Sequence, residues 1–253
     1  DPIGNVVHRS SKGEEIQYEI DPFGRVSKIT LSEEKSIEFT YDINDRCLRR
    51  VVRESGHKDQ VFYHMYLGDF ELGCVDEEGN IVELRIPADP QAPEEGPLVA
   101  IELHGEEFVP LMDLQHNVRC LVAMGTDMIA ENYEYSAFGE ECIYNEVGEL
   151  IPESLVSNPW RYKGERVFEE AGLIFFGKRF YNPEIGRWIT PDPLGHIDGP
   201  NLYAYAYNNP VNVIDYYGFE SEPLTSGGEL QSYFYGNVEP RCVCETHRNC
   251  KRG

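Results

Sequence analysis

The chain has 253 residues and a formal net charge of −23, from 45 acidic and 22 basic residues. That length supports a substantial core in one or two domains. The charge repels nucleic-acid backbones and anionic membrane surfaces, so neither is expected as a partner; a solvated acidic exterior is the simpler account of it, ahead of an acidic docking face. No apolar run approaches the ~18 residues of a membrane helix, and no signal peptide is evident.

The first sixty residues repeat. Asp1-Pro2-Ile3-Gly4, Asp21-Pro22-Phe23-Gly24 and Asp42-Ile43-Asn44-Asp45 recur at intervals of 20 and 21 residues. Periods of that size signal stacked supersecondary units. Each box is a turn: Asp opens it, Pro pre-sets φ at the second position, and Gly or Asn tolerates left-handed backbone near the end. Between boxes, Glu15–Ile20 and Ser36–Tyr41 alternate apolar and polar side chains, which places Ile, Tyr and Phe on one face. The unit is a hairpin with one buried side. Alone it is marginal in water, so neighbours must cover its edges.

Further along, Val61–Leu67 reads as a strand, with turns at Gly68-Asp69 and Asp76–Asn80. Residues 87–97, PADPQAPEEGP, read as an exposed loop, because proline removes ladder donors. Tyr133–Gly139 repeats the turn box with Ser136 in place of Asp. His104 and His116 have no further ligands at sensible spacing and are read as ordinary histidines. Residues 142–157 are polar and read as a connection. Cys47, Cys74, Cys120 and Cys142, scattered among strand-like segments, are expected to be buried free thiols.

From Asn158 to Phe219, aromatic and branched residues alternate in short runs punctuated by Gly and Pro, the pattern of short strands and tight turns. This stretch carries two more acidic boxes, Asp192-Pro193-Leu194-Gly195 and Asp215-Tyr216-Tyr217-Gly218. Two aspartates brought together cannot both ionise easily. One then serves as base and the other as acid, the logic of an aspartic protease. The plainer reading makes both of them turn residues, since Asp1 and Asp21 open similar boxes with no sign of chemistry.

Residues 220–253 begin as a Ser/Gly/Glu/Pro-rich linker and are too few for a core of their own. Cys242, Cys244, His247 and Cys250 form a compact C-x-C-x2-H-x2-C set that a zinc ion would suit. Disulfide pairing, or an unliganded end with no cofactor, stands as the alternative.

Several phrases occur in order: Asn158-Pro159-Trp160-Arg161-Tyr162, Gly172-Leu173, Arg179-Phe180-Tyr181, Gly186-Arg187-Trp188-Ile189, Pro191-Asp192-Pro193, Asn201-Leu202-Tyr203 and Asn208-Asn209-Pro210. Together they resemble the repeat-associated core domain of Rhs/YD-repeat proteins. The upstream hairpins resemble YD repeats, with Tyr41-Asp42 as the eponymous pair. The resemblance implies an all-β fold in three parts: hairpins over 1–157 forming a curved, spiralling sheet (a partial shell), the core over 158–219, and a short variable segment over 220–253. With only six or seven hairpins, the sheet is expected to leave one concave face exposed. Opening on Asp1 inside a repeat, the chain is read as a fragment of a longer protein.

The resemblance also implies function. Such shells enclose a C-terminal toxin-like cargo, and the core cuts the chain once after its second acidic box. Carried over, Asp192 and Asp215 are the candidate catalytic pair, Arg187 their charge partner, and the cut falls between Phe219 and Glu220. Tyr216 and Phe219 stand where the family usually has Pro and Leu. The expected partners are the chain's own C-terminal segment and the rest of the shell, with no membrane insertion, in a secreted, cell-surface or delivered toxin. The alternative is an adhesion module of the teneurin-like kind. A hydrolase acting on other substrates has little support, because no Ser-His-Asp or metal cluster is recognisable.

Overall fold

The computed structural model describes residues 1–223 apart from 3, 12–13, 94–95, 127, 197–198, 216 and 219–220. Fourteen strands form one antiparallel sheet in strict chain order. They are β1 (His8–Ser11), β2 (Glu14–Ile20), β3 (Val26–Thr30), β4 (Lys35–Tyr41), β5 (Cys47–Glu54), β6 (Gln60–Leu67), β7 (Phe70–Val75), β8 (Ile81–Pro87), β9 (Leu98–Leu103), β10 (Glu106–Met112), β11 (Val118–Ala123), β12 (Met128–Tyr135), β13 (Glu141–Asn145) and β14 (Leu150–Ile151). The sheet is open, with β1 and β14 at its edges. Then come a four-stranded sheet, β15 (Arg166–Phe168), β16 (Leu173–Phe175), β17 (Phe180–Asn182) and β18 (Arg187–Trp188), and a two-stranded ribbon of β19 (Val213–Ile214) and β20 (Glu222–Pro223).

The turn boxes share one hydrogen-bond device. Asp Oδ1 accepts the N–H groups two and four residues on, as Asp21 does from Phe23 and Arg25, and Asp76 from Glu78 and Asn80. Oδ2 then takes the side chain at the fourth position: Arg25 Nε at 2.7 Å, Arg46 Nε at 2.8 Å, Asn80 Nδ2 at 2.8 Å and Asn117 Nδ2 at 2.9 Å. Arg25 also reaches Asp45 Oδ1 at 2.7 Å, tying one turn to the next.

Residues 142–157, read above as a connection, hold another hairpin. Asn145 does the work of the box aspartate: its Oδ1 accepts Val147 N and Glu149 N, and Gly148 N bonds its carbonyl. Asn can replace Asp there because only an accepting oxygen is needed.

Strand alternation is as expected, with Ile16 and Tyr18 of β2 and Ile37 and Phe39 of β4 pointing inward and buried. What they face differs from expectation. The inner side of β2–β5 packs on Phe168, Leu173, Phe175, Phe180 and Ile189, while that of β9–β13 packs around Trp160. The face expected to lie open is therefore filled by the segment from Asn158 onward, because that segment's aromatics need cover. A flat sheet of fourteen strands would be roughly 60 Å across. Both halves pack on one short segment, so the sheet must curve around it. The 14-stranded sheet ends at Ile151 and the smaller one begins at Arg166, either side of residues 157/158, yet Asp1–Pro223 forms one compact unit.

Candidate active site

Arg179 lies just before β17, behind the Gly177-Lys178 turn, and is 3% exposed. Its Nη2 is 2.8 Å from Asp192 Oδ2 and 3.3 Å from Asp215 Oδ2. One guanidinium nitrogen therefore links the two aspartates that the sequence singled out. Arg179 Nε donates to the Gly218 carbonyl, and the guanidinium lies over Trp188, 4.2 Å from the ring centroid. Arg187, expected as the charge partner, is exposed and lays its guanidinium over Tyr203 at 5.2 Å. The reason is strand alternation: on β18, Trp188 points inward and its neighbour Arg187 outward.

Asp192 keeps a turn role as well. Its Oδ1 accepts Leu194 N at 2.8 Å, and Gly195 N bonds its carbonyl. It departs from the other boxes at the fourth position, where His196 stands instead of Arg or Asn, and Oδ2 turns to Arg179. Asp215 follows β19 and is fully buried. Gly218 has φ +72, and a Cβ there would meet Arg179 Cβ at 3.2 Å, so glycine lets the chain pass close over the guanidinium.

Around the pair stands an aromatic wall. Phe176 and Trp188 meet edge to face at 5.2 Å, and Tyr181 and Tyr205 lie tilted against each other at 4.4 Å. Nearby, a cavity of about 40 Å³ is lined by Glu71, Arg85, His116, Lys163, Glu165 and Tyr217. Burial raises the Glu165 carboxyl to about 8; Arg85 opposes that shift, while the charges of Glu71 and Asp215 reinforce it. Burial lowers the Lys163 ammonium to about 8. At neutral pH Glu165 is therefore mostly protonated.

A second buried cluster joins the large sheet to the core. Arg166, 1% exposed, places Nη2 2.6 Å from Glu71 Oε1 and 2.5 Å from Glu83 Oε2; His64 Nδ1 lies 2.7 Å from Glu71. Burial alone would raise both carboxyls, but Arg166 overcomes it, with His64 at Glu71 and Arg50 at Glu83. Glu71 is held well below the usual range and Glu83 at about 2. Sequence reasoning missed this cluster, since no local pattern marks an arginine that pairs with carboxylates about 80 to 95 residues away.

Cys47, Cys74 and Cys120 are buried free thiols, and Cys142 is half-buried. Burial raises Cys47 and Cys74 to about 12, which keeps them protonated. His104 and His116 occupy left-handed turn positions, with φ of 51° and 63°. Among the described residues, no group of three or more His, Cys, Asp or Glu could hold a metal ion. Cys242, Cys244, His247 and Cys250 lie outside the described residues, as do Phe219 and Glu220.

The arrangement suits acid–base chemistry. Two carboxyl groups held on one buried guanidinium beside an aromatic wall are the kind of pair that can take a proton at one member and give one at the other. The loop that Arg179 touches at Gly218 belongs to the same chain.

No protein-family model matches the chain. It is 29% identical over 233 residues to salivary gland surface protein 1 of Aedes aegypti, covering 85% of this chain and 6% of that protein. It is 24% identical over 208 residues to toxin subunit YenC1 of Yersinia entomophaga, covering 76% of this chain and 21% of that one. With toxin protein Tse5 of Pseudomonas aeruginosa it shares 28% identity over 245 residues, covering 85% of this chain and 18% of the relative. The chain thus spans a minor part, 6% to 21%, of these relatives. Among solved structures, TcdB2-TccC3 matches with a TM-score of 0.63 at 20% identity, over 84% of this chain and 11% of that one. The Photorhabdus luminescens Tc holotoxin pore matches with a TM-score of 0.63 at 17% identity, over 90% of this chain and 11% of that one. With its hairpins bound in chain order around an aromatic core, the chain shares the fold of these solved structures and is similar in sequence to the toxin proteins YenC1 and Tse5, in keeping with its resemblance to Rhs/YD-repeat proteins.

Proposed function

We propose that this chain is part of a toxin shell whose core cuts the polypeptide once, between Phe219 and Glu220, to free a C-terminal cargo. One observation carries the reading: Arg179 binds Asp192, Asp215 and the Gly218 carbonyl together. A turn-only role for the two aspartates does not call for a shared, buried guanidinium. In the proposed step, one carboxylate takes a proton from water as the water oxygen adds to the Phe219 carbonyl carbon. The other carboxyl protonates the leaving nitrogen of Glu220 as the C–N bond breaks. The products are a new carboxylate and a new amine, and no cofactor is consumed.

The repeat sheet supplies containment. Its inner face is already covered by the core, so this chain is read as the closed end of a larger wall and further shell as its neighbour. The cargo is the chain's own C-terminal segment, beginning at Glu220. Toxin relatives such as YenC1 and Tse5 support a secreted or delivered protein over a resident cytoplasmic one, and the adhesion reading is not favoured. Intact mass tests the cut. Wild type is expected as two species ending at Phe219 and beginning at Glu220, and Asp192→Asn and Asp215→Asn each as one full-length species. A single uncut species for wild type and variants alike ends the protease reading.

A further inference from the structure

The ribbon that closes the described chain flanks the expected cut. β19 and β20 are antiparallel, with Val213 opposite Pro223 and Ile214 opposite Glu222. The next residues inward on each side are Asp215 and Ser221. The ribbon thus flanks the expected cut in sequence, and the described residues next to it on each side are buried, Asp215 at 0% exposure and Ser221 at 7%. On either side of the bond a carbonyl is held. Upstream of the bond, Gly218 O accepts from Arg179 Nε. Downstream, Ser221 O is reached by the Tyr207 hydroxyl at 3.4 Å.

Tyr207 is presented by an unusual piece of backbone. Ala206, Tyr207 and Asn208 are three successive non-glycine residues with positive φ, at 47°, 51° and 57°. Such residues rarely adopt this conformation and hold it only when their surroundings impose it. Ala206 is fully buried, and Asn208 N and Asn209 N bond back to Tyr205 O and Ala206 O. The strained turn precedes β19 in sequence and directs Tyr207 at Ser221, the second residue past the expected cut.

We propose that residues 221–223, on the far side of the bond, are part of the cleavage machinery: the β19–β20 pairing and Tyr207 clamp the downstream arm, so that the loop from Asp215 to Ser221 is held at both ends. This rests on the cleavage reading above. Positioning is where such a clamp acts, since a bond tethered on one side only samples many orientations relative to the carboxylates. The clamp also has a consequence after the cut. With the loop opened, a two-residue ladder is too short to hold a free segment, so the same pairing that favours cutting lets the product leave.

The experiment follows the rate of cleavage of the full chain by intact mass after refolding. A Gly-Ser insertion between Glu220 and Ser221 lengthens the loop without touching Asp192, Asp215 or Arg179, and is expected to slow cleavage by about tenfold or more. The same insertion after Pro223 is expected to leave the rate unchanged. Tyr207→Phe keeps the ring and removes the hydroxyl. It is expected to slow cleavage severalfold with the shape of the pH profile unchanged, because Tyr207 orients and transfers no proton. In the uncut Asp192→Asn chain, cross-strand nuclear Overhauser contacts between Val213–Ile214 and Glu222–Pro223 check that the ribbon forms. Cleavage at the wild-type rate in the loop insertion, or equal slowing by both insertions, overturns the clamp while the cleavage reading stands. An uncut wild type overturns both.

Discussion

Arg179 Nη2 and Asp192 Oδ2 lie 2.8 Å apart in the interior, and this ion pair draws a turn aspartate into the core. In the other boxes the second carboxylate oxygen is occupied from within the turn, by Arg25, Arg46, Asn80 or Asn117. At Asp192 it turns inward, and the guanidinium that receives it is shared with Asp215.

The shared guanidinium makes Arg179 more sensitive than Arg187. Lysine is a point charge and cannot contact Asp192, Asp215 and Gly218 O at once. Arg179→Lys is expected to slow self-cleavage by about a hundredfold, while Arg187→Ala leaves it within about threefold, since exposed Arg187 stacks on half-buried Tyr203 away from the aspartates. Time courses of intact mass read both.

Gly218→Ala puts a methyl 3.2 Å from Arg179 Cβ at a φ of +72. The expected cost is about 1 kcal/mol of stability, with a larger loss of cleavage because the Arg179 contact shifts. Denaturant midpoints and cleavage rates measured on the same preparation separate the two effects.

Acid should loosen the joint between sheet and core. Glu83 has a folded value of about 2 against an ordinary 4.5. A depressed carboxyl contributes stability that is complete above the unfolded value and is lost as pH falls from about 4.5 to about 2. Glu71 acts in the same direction. Thermal midpoints taken from pH 6 down to 2 are expected to fall through that window. Arg166→Met, which strands both carboxylates, is expected to cost about 3–5 kcal/mol at neutral pH and to flatten the acid dependence.

Glu165 has the opposite sign. Its carboxyl is raised from 4.5 to about 8, so the stability tied to its protonated form is complete below about 4.5 and declines as pH rises toward 8. Glu165→Gln is expected to stabilise the protein at pH 8 and leave it little changed at pH 4. Because the Asp215 charge contributes to the shift, Asp215→Asn should lower the pH at which Glu165 titrates, as read by carboxyl NMR shifts.

Local chemistry made the hairpins legible. Alternation along Glu15–Ile20 and Ser36–Tyr41, with Asp boxes between them, is a property of neighbouring residues and appears as β2 and β4. The residue four places after each box aspartate was also readable: Asn5, Arg25, Arg46, Asn80 and Asn117 close their own turns, and His196 does not. That distinction separates the turn-closing aspartates from Asp192. The hairpin around Asn145 carries neither Asp nor Ser at its corner, yet an amide oxygen accepts there equally well.

What the amino-acid order determined alone was the run of paired strands and the acidic boxes that contain Asp192 and Asp215, since hairpins and turns join residues close in sequence. Folding in three dimensions decided which arginine serves them, which face is filled, and how Arg166 reaches Glu71 and Glu83. Those contacts join residues far apart in sequence, and only the wrapping of the sheet around its core brings them within reach.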